Sequence, residues 1–162
     1  MIKYIFNAVC FLFFFVSFCF VLLCFVLFCF VHWFFFFSFT STNLYDETWQ
    51  HLCLTWENTQ GVTKLYKDGQ FTEQVTNDAT KNYVLKAGGF LVLGQEQDSI
   101  GGGFDRNQTL HGRLASVNMW DKVLSESDIA AQYTNCSIPH GSVINWSVVK
   151  NLAYGNVTVE EP

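Results

Sequence analysis

Residues 49–58 read WQHLCLTWEN, an alternating stretch that sets the fold class. Leu52, Leu54 and Trp56 are spaced two apart, with small or polar residues between them. Successive side chains of a strand point to opposite faces, so this alternation predicts a half-buried β-strand. The neighbouring stretches must supply further strands, because a single strand cannot bury its apolar face alone.

The stretches that follow carry strand and turn signals. Residues 63–75 form two short runs around Asp68-Gly69, a dipeptide typical of two-residue hairpin turns. Three further strands are predicted in GGFLVLGQ (88–95), at the start of GRLASVNMWDKVL (112–124), and in SVINWSVV (142–149). Short strands separated by turns indicate an antiparallel β-sandwich.

One short helix is predicted among these strands. Ser125 followed three residues later by Asp128 resembles a capping box. Ile129, Ala130 and Tyr133 then repeat at helical spacing. The chain is therefore expected to be all-β with a single short helix in its folded part.

The tryptophans of the predicted strands are expected in the core rather than in a stacking platform. They are Trp49, Trp56, Trp120 and Trp146. His51 lies beside Cys53 on a predicted strand, and we interpret it as a packed histidine rather than a metal ligand.

Residues 1–43 form a hydrophobic segment of different composition. No charged residue occurs between Lys3 and Asp46, and 15 of the 18 Phe lie in the first 40 positions. The apolar run exceeds both the roughly 7–15 residues of a signal-peptide core and the ~20 that span a bilayer. It predicts a hydrophobic N-terminal helix of signal-anchor type, with residues 8–37 in a membrane. The alternative is a translated non-coding tract, because Phe, Leu, Val, Cys and Ser have uracil-rich codons.

The chain from Asp46 onward is mildly acidic, with 14 acids against eight Lys and Arg. No basic patch appears, which argues against a nucleic-acid partner because phosphate contacts need clustered basic side chains. No Cys and His spacing suits zinc. Four N-glycosylation sequons follow the hydrophobic segment and favour the secretory route; their asparagines are Asn107, Asn135, Asn145 and Asn156.

Residues 94–108 read GQEQDSIGGGFDRNQ and gather acids around a glycine run. Glu96 and Asp98 would share one face of a strand, where like charges repel unless a cation lies between them. The glycines would let the chain turn and bring Asp105 and Gln108 back towards that pair. Carboxylate and amide oxygens suit Ca²⁺, and a plain solvated turn is the alternative.

An enzymatic reading of this stretch lacks a residue that it needs. Jelly-roll glycosidases also carry Glu-x-Asp on a strand, with a second Glu shortly after it. A retaining enzyme needs two carboxyl groups roughly 5–5.5 Å apart. Ser99, Ile100 and glycine follow Asp98, so the second Glu is missing. The sequence therefore predicts no catalytic residues, and not an enzyme.

Four stretches, in this order and spacing, resemble the C-terminal portion of a pentraxin domain. They are HLCLTW (51–56), LGQEQDSIGGGFDRNQ (93–108), VNMWDKVLS (117–125) and NCSIPHGSVINW (135–146). The resemblance covers roughly residues 45–155. It implies a jelly-roll β-sandwich of concanavalin type, with 44–162 as a partial pentraxin domain. One departure is Asn58, where the family's signature usually has Ser or Thr.

The resemblance implies calcium-binding roles, because in this family the acidic block binds two calcium ions. Glu96 and Asp98 match the carboxylates that bridge both ions, and Gln97 matches a residue that supplies a backbone carbonyl. Asp105 and Gln108 match outer ligands of the second ion. The first ion and the ligand pocket also need residues from the N-terminal half of the domain, which the hydrophobic segment replaces here. Only the second site is therefore expected to be nearly complete.

Cys53 matches one end of the family's disulfide, whose partner lies in the same N-terminal half. The resemblance therefore leaves Cys53 as an orphan or buried thiol, and it gives no support for a bond to Cys136.

The resemblance implies a function as a non-enzymatic, calcium-dependent recognition module. Its ligands would be anionic or phosphate-bearing, its location extracellular, and the intact domain could form homo-oligomers. Two alternatives are a membrane-tethered adhesion or receptor ectodomain fragment held by residues 8–37, and a truncated product without an intact ligand site.

Overall fold

The computed structural model describes residues 8–15, 23–25, 48–84, 90–95, 97–135 and 141–160, with side chains from residue 48 onward. The seven strands are β1 Ala8–Phe15, β2 Leu23–Phe25, β3 Gln50–Glu57, β4 Val62–Lys67, β5 Gln70–Thr76, β6 Leu91–Leu93 and β7 Gly112–Trp120. The helices are α1 Glu126–Thr134 and α2 Trp146–Val149. Short 3₁₀ turns occupy Asp78–Thr80, Arg106–Gln108 and Lys150–Leu152.

The strands form two antiparallel sheets. The larger has the order β5-β4-β3-β1-β7, and the smaller pairs β2 with β6. The predicted hairpin is present: Asp68 and Gly69 join β4 to β5 with φ angles of 50° and 77°. Two successive positive φ angles match the right-handed twist of the flanking strands, which is why this dipeptide favours the turn. The predicted all-β class is confirmed, although the folded part has two short α-helices where the sequence predicted one.

The hydrophobic segment contributes strands where the structure describes it. β1 lies between β3 and β7 and pairs with both, and β2 pairs with β6. These stretches therefore differ from the predicted N-terminal helix, and no helix in the described ranges is long and apolar enough to span a membrane. Aromatic and β-branched residues favour strands, and a wholly apolar run has no period to separate strand from helix. Residues 1–7, 16–22 and 26–47 lie outside the described part.

Cys53 is part of a disulfide, which corrects the expectation of an orphan thiol. It is fully buried in β3. In the register between β1 and β3, Cys10 lies directly opposite Cys53. Directly opposed residues of an antiparallel pair have Cα separations of about 4.5–5.5 Å, which is within the range that a disulfide bridges. Cys136 lies outside the described residues.

Helix α1 closes one face of the large sheet. Its Ile129 is fully buried with Cys53, Tyr66, Trp120 and Leu124. The predicted capping box is present: the Ser125 side chain accepts from the Asp128 backbone N–H, and the Asp128 carboxylate accepts from Ser125 N. The cap fixes the residue at which the helix begins. The helical spacing of the apolar residues then places Ile129 against the sheet.

The strand predicted at 142–149 is wrong. Ile144 makes a single bridge to Met119, and the chain then turns into α2. Asn145 is responsible, because its side-chain oxygen accepts from the Ser147 backbone N–H and so caps the helix. A Cβ at Gly141 would collide with the backbone oxygen of Ile144 and the backbone of Met119.

A buried asparagine ties this last segment to the sheet. The Asn118 side-chain oxygen accepts from Gly141 N and from Trp146 N, both at 3.2 Å. Its Nδ2 donates to the Ser116 carbonyl at 3.0 Å. The Asn118 side chain of β7 thus pairs backbone groups that would have bonded to a neighbouring strand if residues 142–149 formed the predicted strand.

The tryptophans separate into core and surface. Trp56 and Trp120 are buried, as predicted. Trp146 is half-buried, and Trp49 is 47% exposed, so its assignment to the core is wrong. Trp49 immediately precedes β3, where the alternation of the strand no longer fixes its direction.

His51 is a packed histidine, as predicted, with only 3% of its surface exposed. Its backbone N–H donates to the Asp68 carboxylate at 3.0 Å, and its carbonyl accepts from Asp68 N at 2.8 Å. Its ring lies 6.0 Å from the Tyr133 ring of α1, and its Nδ1 is buried with no hydrogen-bond partner. Burial lowers the pKa of the imidazole below 6.5, against a smaller opposing effect of the Asp68 charge.

The register predicts which cysteine partners Cys53. A peptide map under non-reducing conditions should link the peptides that contain Cys10 and Cys53. In Cys10→Ser, Cys53 should become available to an alkylating reagent after unfolding, whereas Cys19→Ser should leave the bond intact. A link from Cys53 to any other cysteine in the unaltered chain would contradict the register.

The buried imidazole predicts acid sensitivity. Because its pKa is lowered in the folded state, the unfolded chain takes up a proton first as the pH falls below about 6.5. Stability is therefore present above about pH 6.5 and is lost as the pH falls through the lower folded pKa. We therefore expect the free energy of unfolding to fall between neutral and mildly acidic pH.

Urea unfolding at about pH 7.5 and about pH 5 measures this loss. His51→Asn should abolish it, whereas His111→Asn, which alters an exposed histidine, should retain it. Parallel pH profiles for the two variants would show that His51 is not the source.

Candidate functional site

The acidic stretch forms a closed loop between β6 and β7. The Leu110 N–H donates to the Gly94 carbonyl at 2.9 Å, and Gln95 makes an isolated bridge to Thr109. Gly94 has a φ of 82°, which lets the chain leave β6 at this neck. We call residues 94–111 the acidic loop. Its two ends meet, so its tip is displayed from a fixed base.

The glycine run folds the tip of the loop back on itself. Ser99 and Gly102 exchange backbone hydrogen bonds of 3.2 and 3.0 Å. Gly103 has a φ of 73°, and a Cβ there would lie only 2.8 Å from the Asp98 Cβ. The backbone at Gly103 therefore lies against Asp98, whereas the approach of Asp105 and Gln108 to Glu96 and Asp98 stays a prediction.

Gln97 is the buried anchor of the loop, with 2% of its surface exposed. Its Nε2 donates to the Phe90 carbonyl at 3.1 Å, and its Oε1 accepts from Gly101 N at 2.8 Å. The sequence assigned only a backbone carbonyl role to this residue and missed its side chain. The available signal was an uncharged amide between two acids, which a buried position tolerates better than a charge.

Asp105 is held by the loop's 3₁₀ turn. Its side chain accepts from Asn107 N at 2.8 Å and caps the turn. Its backbone carbonyl accepts from Gln95 Nε2 at 2.6 Å and from Gln108 N at 2.9 Å. The predicted outer ligands, Asp105 and Gln108, are thus joined by one hydrogen bond and carried together.

The remaining predicted ligands differ in their surroundings. Asp98 is exposed, and its carboxylate makes no hydrogen bond or ion pair with any residue that the structure describes. Glu96 lies outside the described residues. No cluster of three or more His, Cys, Asp or Glu that could hold a metal occurs within the described ranges.

The donor chemistry of the acidic loop fits a hard cation. The candidate side chains offer carboxylate and amide oxygens, the ligand type of Ca²⁺. Asp98 has a carboxylate that no described protein group neutralises, so a cation would meet no competing partner there. Asp105 uses its side chain in the cap, and carboxylates have capacity for more than one partner.

The sequon asparagines lie at four separate places. Asn107 is on the 3₁₀ turn of the acidic loop, and Asn135 is the C-cap of α1. Asn145 is the N-cap of α2, and Asn156 lies in the exposed stretch after the last 3₁₀ turn.

Comparison with known proteins finds a matching family model and several similar sequences. The model of the Pentaxin family matches residues 37–161. C-reactive protein of Rattus norvegicus is 41% identical over 110 residues, covering 68% of this chain and 46% of the rat protein. Pentraxin-related protein PTX3 of Mus musculus is 38% identical over 111 residues, covering 66% of this chain and 29% of that protein. The chain thus spans less than half the length of these relatives.

A solved structure shows the same fold. The native heptameric SAP-like pentraxin from Limulus polyphemus superposes with a TM-score of 0.70 at 20% identity. The superposition covers 88% of this chain and 76% of that one. This likeness confirms the predicted jelly-roll class.

The anchor role of Gln97 can be tested by substitution. Gln97→Leu keeps the volume but leaves Gly101 N and the Phe90 carbonyl without their partner, at a cost of about 1–3 kcal/mol. Hydrogen exchange should show faster exchange of the Gly101 amide, with a lower melting temperature. Gln74→Leu, at an exposed position of β5, is the control and should change neither. Unchanged protection of Gly101 in Gln97→Leu would remove the anchor role.

Proposed function

The chain belongs to the pentaxin (pentraxin) family, and from that membership we propose that it is a non-enzymatic, calcium-dependent recognition module. The acidic loop is its metal-binding element. The observation that carries the proposal is the Asp98 carboxylate, exposed and without a described protein partner on a loop that Gln97 anchors from below.

The residues that would hold calcium are those of the acidic loop. They are Glu96, Asp98, Asp105 and Gln108 through their side chains, and Gln97 through its backbone carbonyl. When bound, Ca²⁺ supplies positive charge to which an anionic ligand can attach. The chain's own contribution is to hold the donors: the neck fixes the base of the loop, and the 3₁₀ turn carries Asp105 with Gln108.

The buried Gln97 side chain favours binding in a second way. A loop that is already ordered loses less conformational entropy when it captures an ion than a loop that must fold around it. Both polar ends of the amide are engaged, so the anchor does not compete for the metal. Its backbone carbonyl can serve as a ligand while its side chain serves as a strut.

The proposed ligands are anionic or phosphate-bearing molecules that bind through Ca²⁺. The chain's net charge of −5 supports a role for the metal, because a bare acidic surface would repel such ligands. We propose an extracellular location, with residues 44–162 as the recognition domain and β1 and β2 completing its sheets. The heptameric neighbour supports homo-oligomerisation of the intact domain.

The absence of catalysis is part of the proposal. Among the acids of the loop, Asp98 and Asp105 are both exposed, whereas a catalytic acid or base usually lies in a cleft that excludes water. Ser99, Ile100 and the glycines occupy the positions where a second catalytic Glu would follow. The loop is therefore suited to holding an ion rather than to moving protons.

Calcium titration of the whole chain tests the proposal. Isothermal calorimetry should show calcium heat, and Asp98→Asn should weaken the affinity about 10- to 100-fold. Asp78→Asn is the matched control, because it removes the same charge at an exposed site outside the acidic loop. No calcium heat, or equal affinity for the two variants, would contradict a metal site on this loop.

A further inference from the structure

Residues 153–160 form an exposed stretch without helix or strand, which we call the C-terminal tail. Its far end is tied to the start of β7, where Arg113 forms an ion pair of 3.0 Å with Glu160. Its near end follows the 3₁₀ turn, where Asn151 donates to the Ser147 carbonyl at 2.9 Å. The tail is therefore held at both ends while its middle is open to solvent.

The middle of the tail is apolar without being packed. Tyr154 is 71% exposed, Val157 62% and Val159 50%, and Leu152 just before the tail is 69% exposed. Residues 154–159 make no hydrogen bond, ion pair or ring contact with any residue in the described part of the chain. Four large apolar side chains within eight positions are an unusual concentration on a solvent-facing segment.

Asn156 stands at the centre of these apolar residues and begins the sequon Asn156-Val157-Thr158. It is exposed and makes no contact with a described residue. Gly155 before it has a φ of 81°, and nothing lies within 4 Å of the position that its Cβ would take. The chain bends there into free space, which leaves room for a bulky substituent.

The asparagines of the other three sequons all make described contacts, through the side chain at Asn145 and through the backbone N–H at Asn107 and Asn135. The Asn145 side-chain oxygen accepts from both the backbone N–H and the hydroxyl of Ser147, which is the hydroxyl of its own sequon. Asn107 donates its backbone N–H to Asp105 within the acidic loop. Asn135 is the C-cap of α1, bonded to the Ala131 carbonyl. Of the four asparagines, Asn156 alone makes neither a side-chain nor a backbone contact with a residue that the structure describes.

We infer that Asn156 carries an N-linked glycan whose first sugar packs against Tyr154. The aromatic ring lies two residues before the asparagine, and the apolar C–H face of a pyranose stacks on an exposed aromatic face. The glycan would cover Tyr154 and Val157 and so account for an apolar tail that no described protein residue covers. The inference rests on the extracellular location proposed above.

The bond forms by transfer from a lipid-linked oligosaccharide diphosphate in the secretory compartment. The Asn156 amide nitrogen attacks the anomeric carbon of the first sugar and loses one proton. The bond from that carbon to the diphosphate oxygen breaks, and the lipid diphosphate leaves with the electron pair. Thr158 supplies the sequon hydroxyl that this transfer requires.

Peptide mapping tests the modification. The whole chain is expressed in a eukaryotic secretory line behind a cleavable secretion signal, so that entry does not depend on residues 1–43. Amidase release of the glycan in heavy-oxygen water should convert Asn156 to labelled Asp in most molecules. Asn156→Gln and Thr158→Ala should each remove that label and lower the intact mass by one glycan. An unmodified Asn156 in the secreted chain overturns the inference.

A double-mutant cycle tests the stacking. Replacing Asn156 by Gln in the glycosylated protein should lower the melting temperature by about 3 °C, and by less than about 1 °C when Tyr154 is already Ala. The same four proteins made in bacteria, without glycans, should show no coupling. An occupied Asn156 with no coupling to Tyr154 overturns the packing of the sugar on the ring.

These outcomes are separable from those of the proposed function. A parallel expression without the added signal reports whether the chain enters the secretory route by itself. Calcium heat in the deglycosylated protein reports on the acidic loop, whose residues are not altered in any tail variant. Failure of the glycan inference therefore leaves the calcium result intact, and failure of calcium binding leaves the occupancy of Asn156 measurable.

Discussion

Strand β3 pairs with β1 on one side and β4 on the other, and that double pairing places the rest of the larger sheet. β1 in turn carries β7, and β4 carries β5. The same strand supplies Cys53 to the buried cluster beneath α1. Its His51 exchanges hydrogen bonds with Asp68 in the β4–β5 turn. Helix and hairpin therefore both take their positions from β3.

The candidate site depends on this arrangement indirectly, through the strands that hold the acidic loop. β7 begins where the acidic loop ends, so the pairing of β7 with β1 fixes one side of the loop's neck. β6 fixes the other side through its pairing with β2. Above the neck, the Gln97 side chain joins the Phe90 carbonyl at the base of the loop to Gly101 N at its tip. Asp98 can then stand in solvent without a described partner, because the backbone around it is ordered by other contacts.

Local signals in the sequence were sufficient for some elements. Asp68-Gly69 has the backbone preferences of its turn, and Ser125 with Asp128 satisfies the first amides of α1, so neither depends on distant residues. The tight turn of the glycine run beside Asp98 was predictable for the same reason. The acidic loop was located from residue types alone, whereas the contacts that stiffen it were not.

The incorrect or missing predictions from the sequence also have physical causes. The apolar run at 8–15 lacks a period, so only its neighbours β3 and β7 decide that it is a strand. Residues 144–148 alternate apolar and polar as a strand does, but the Asn145 cap and the Asn118 side chain satisfy the backbone in another way. The buried role of Gln97 depends on the Phe90 carbonyl, a partner seven residues away that no spacing rule indicates.

The close contacts at Gly141 limit which residues can replace it. Any side chain there would displace the Ile144 carbonyl from Met119, and the segment that Asn118 organises would move with it. Gly155 faces open space and tolerates replacement sterically, although its positive φ still favours glycine. The two glycines are only fourteen positions apart, yet their tolerance of substitution differs sharply. At position 141 no residue with a side chain can replace glycine without moving the backbone around it.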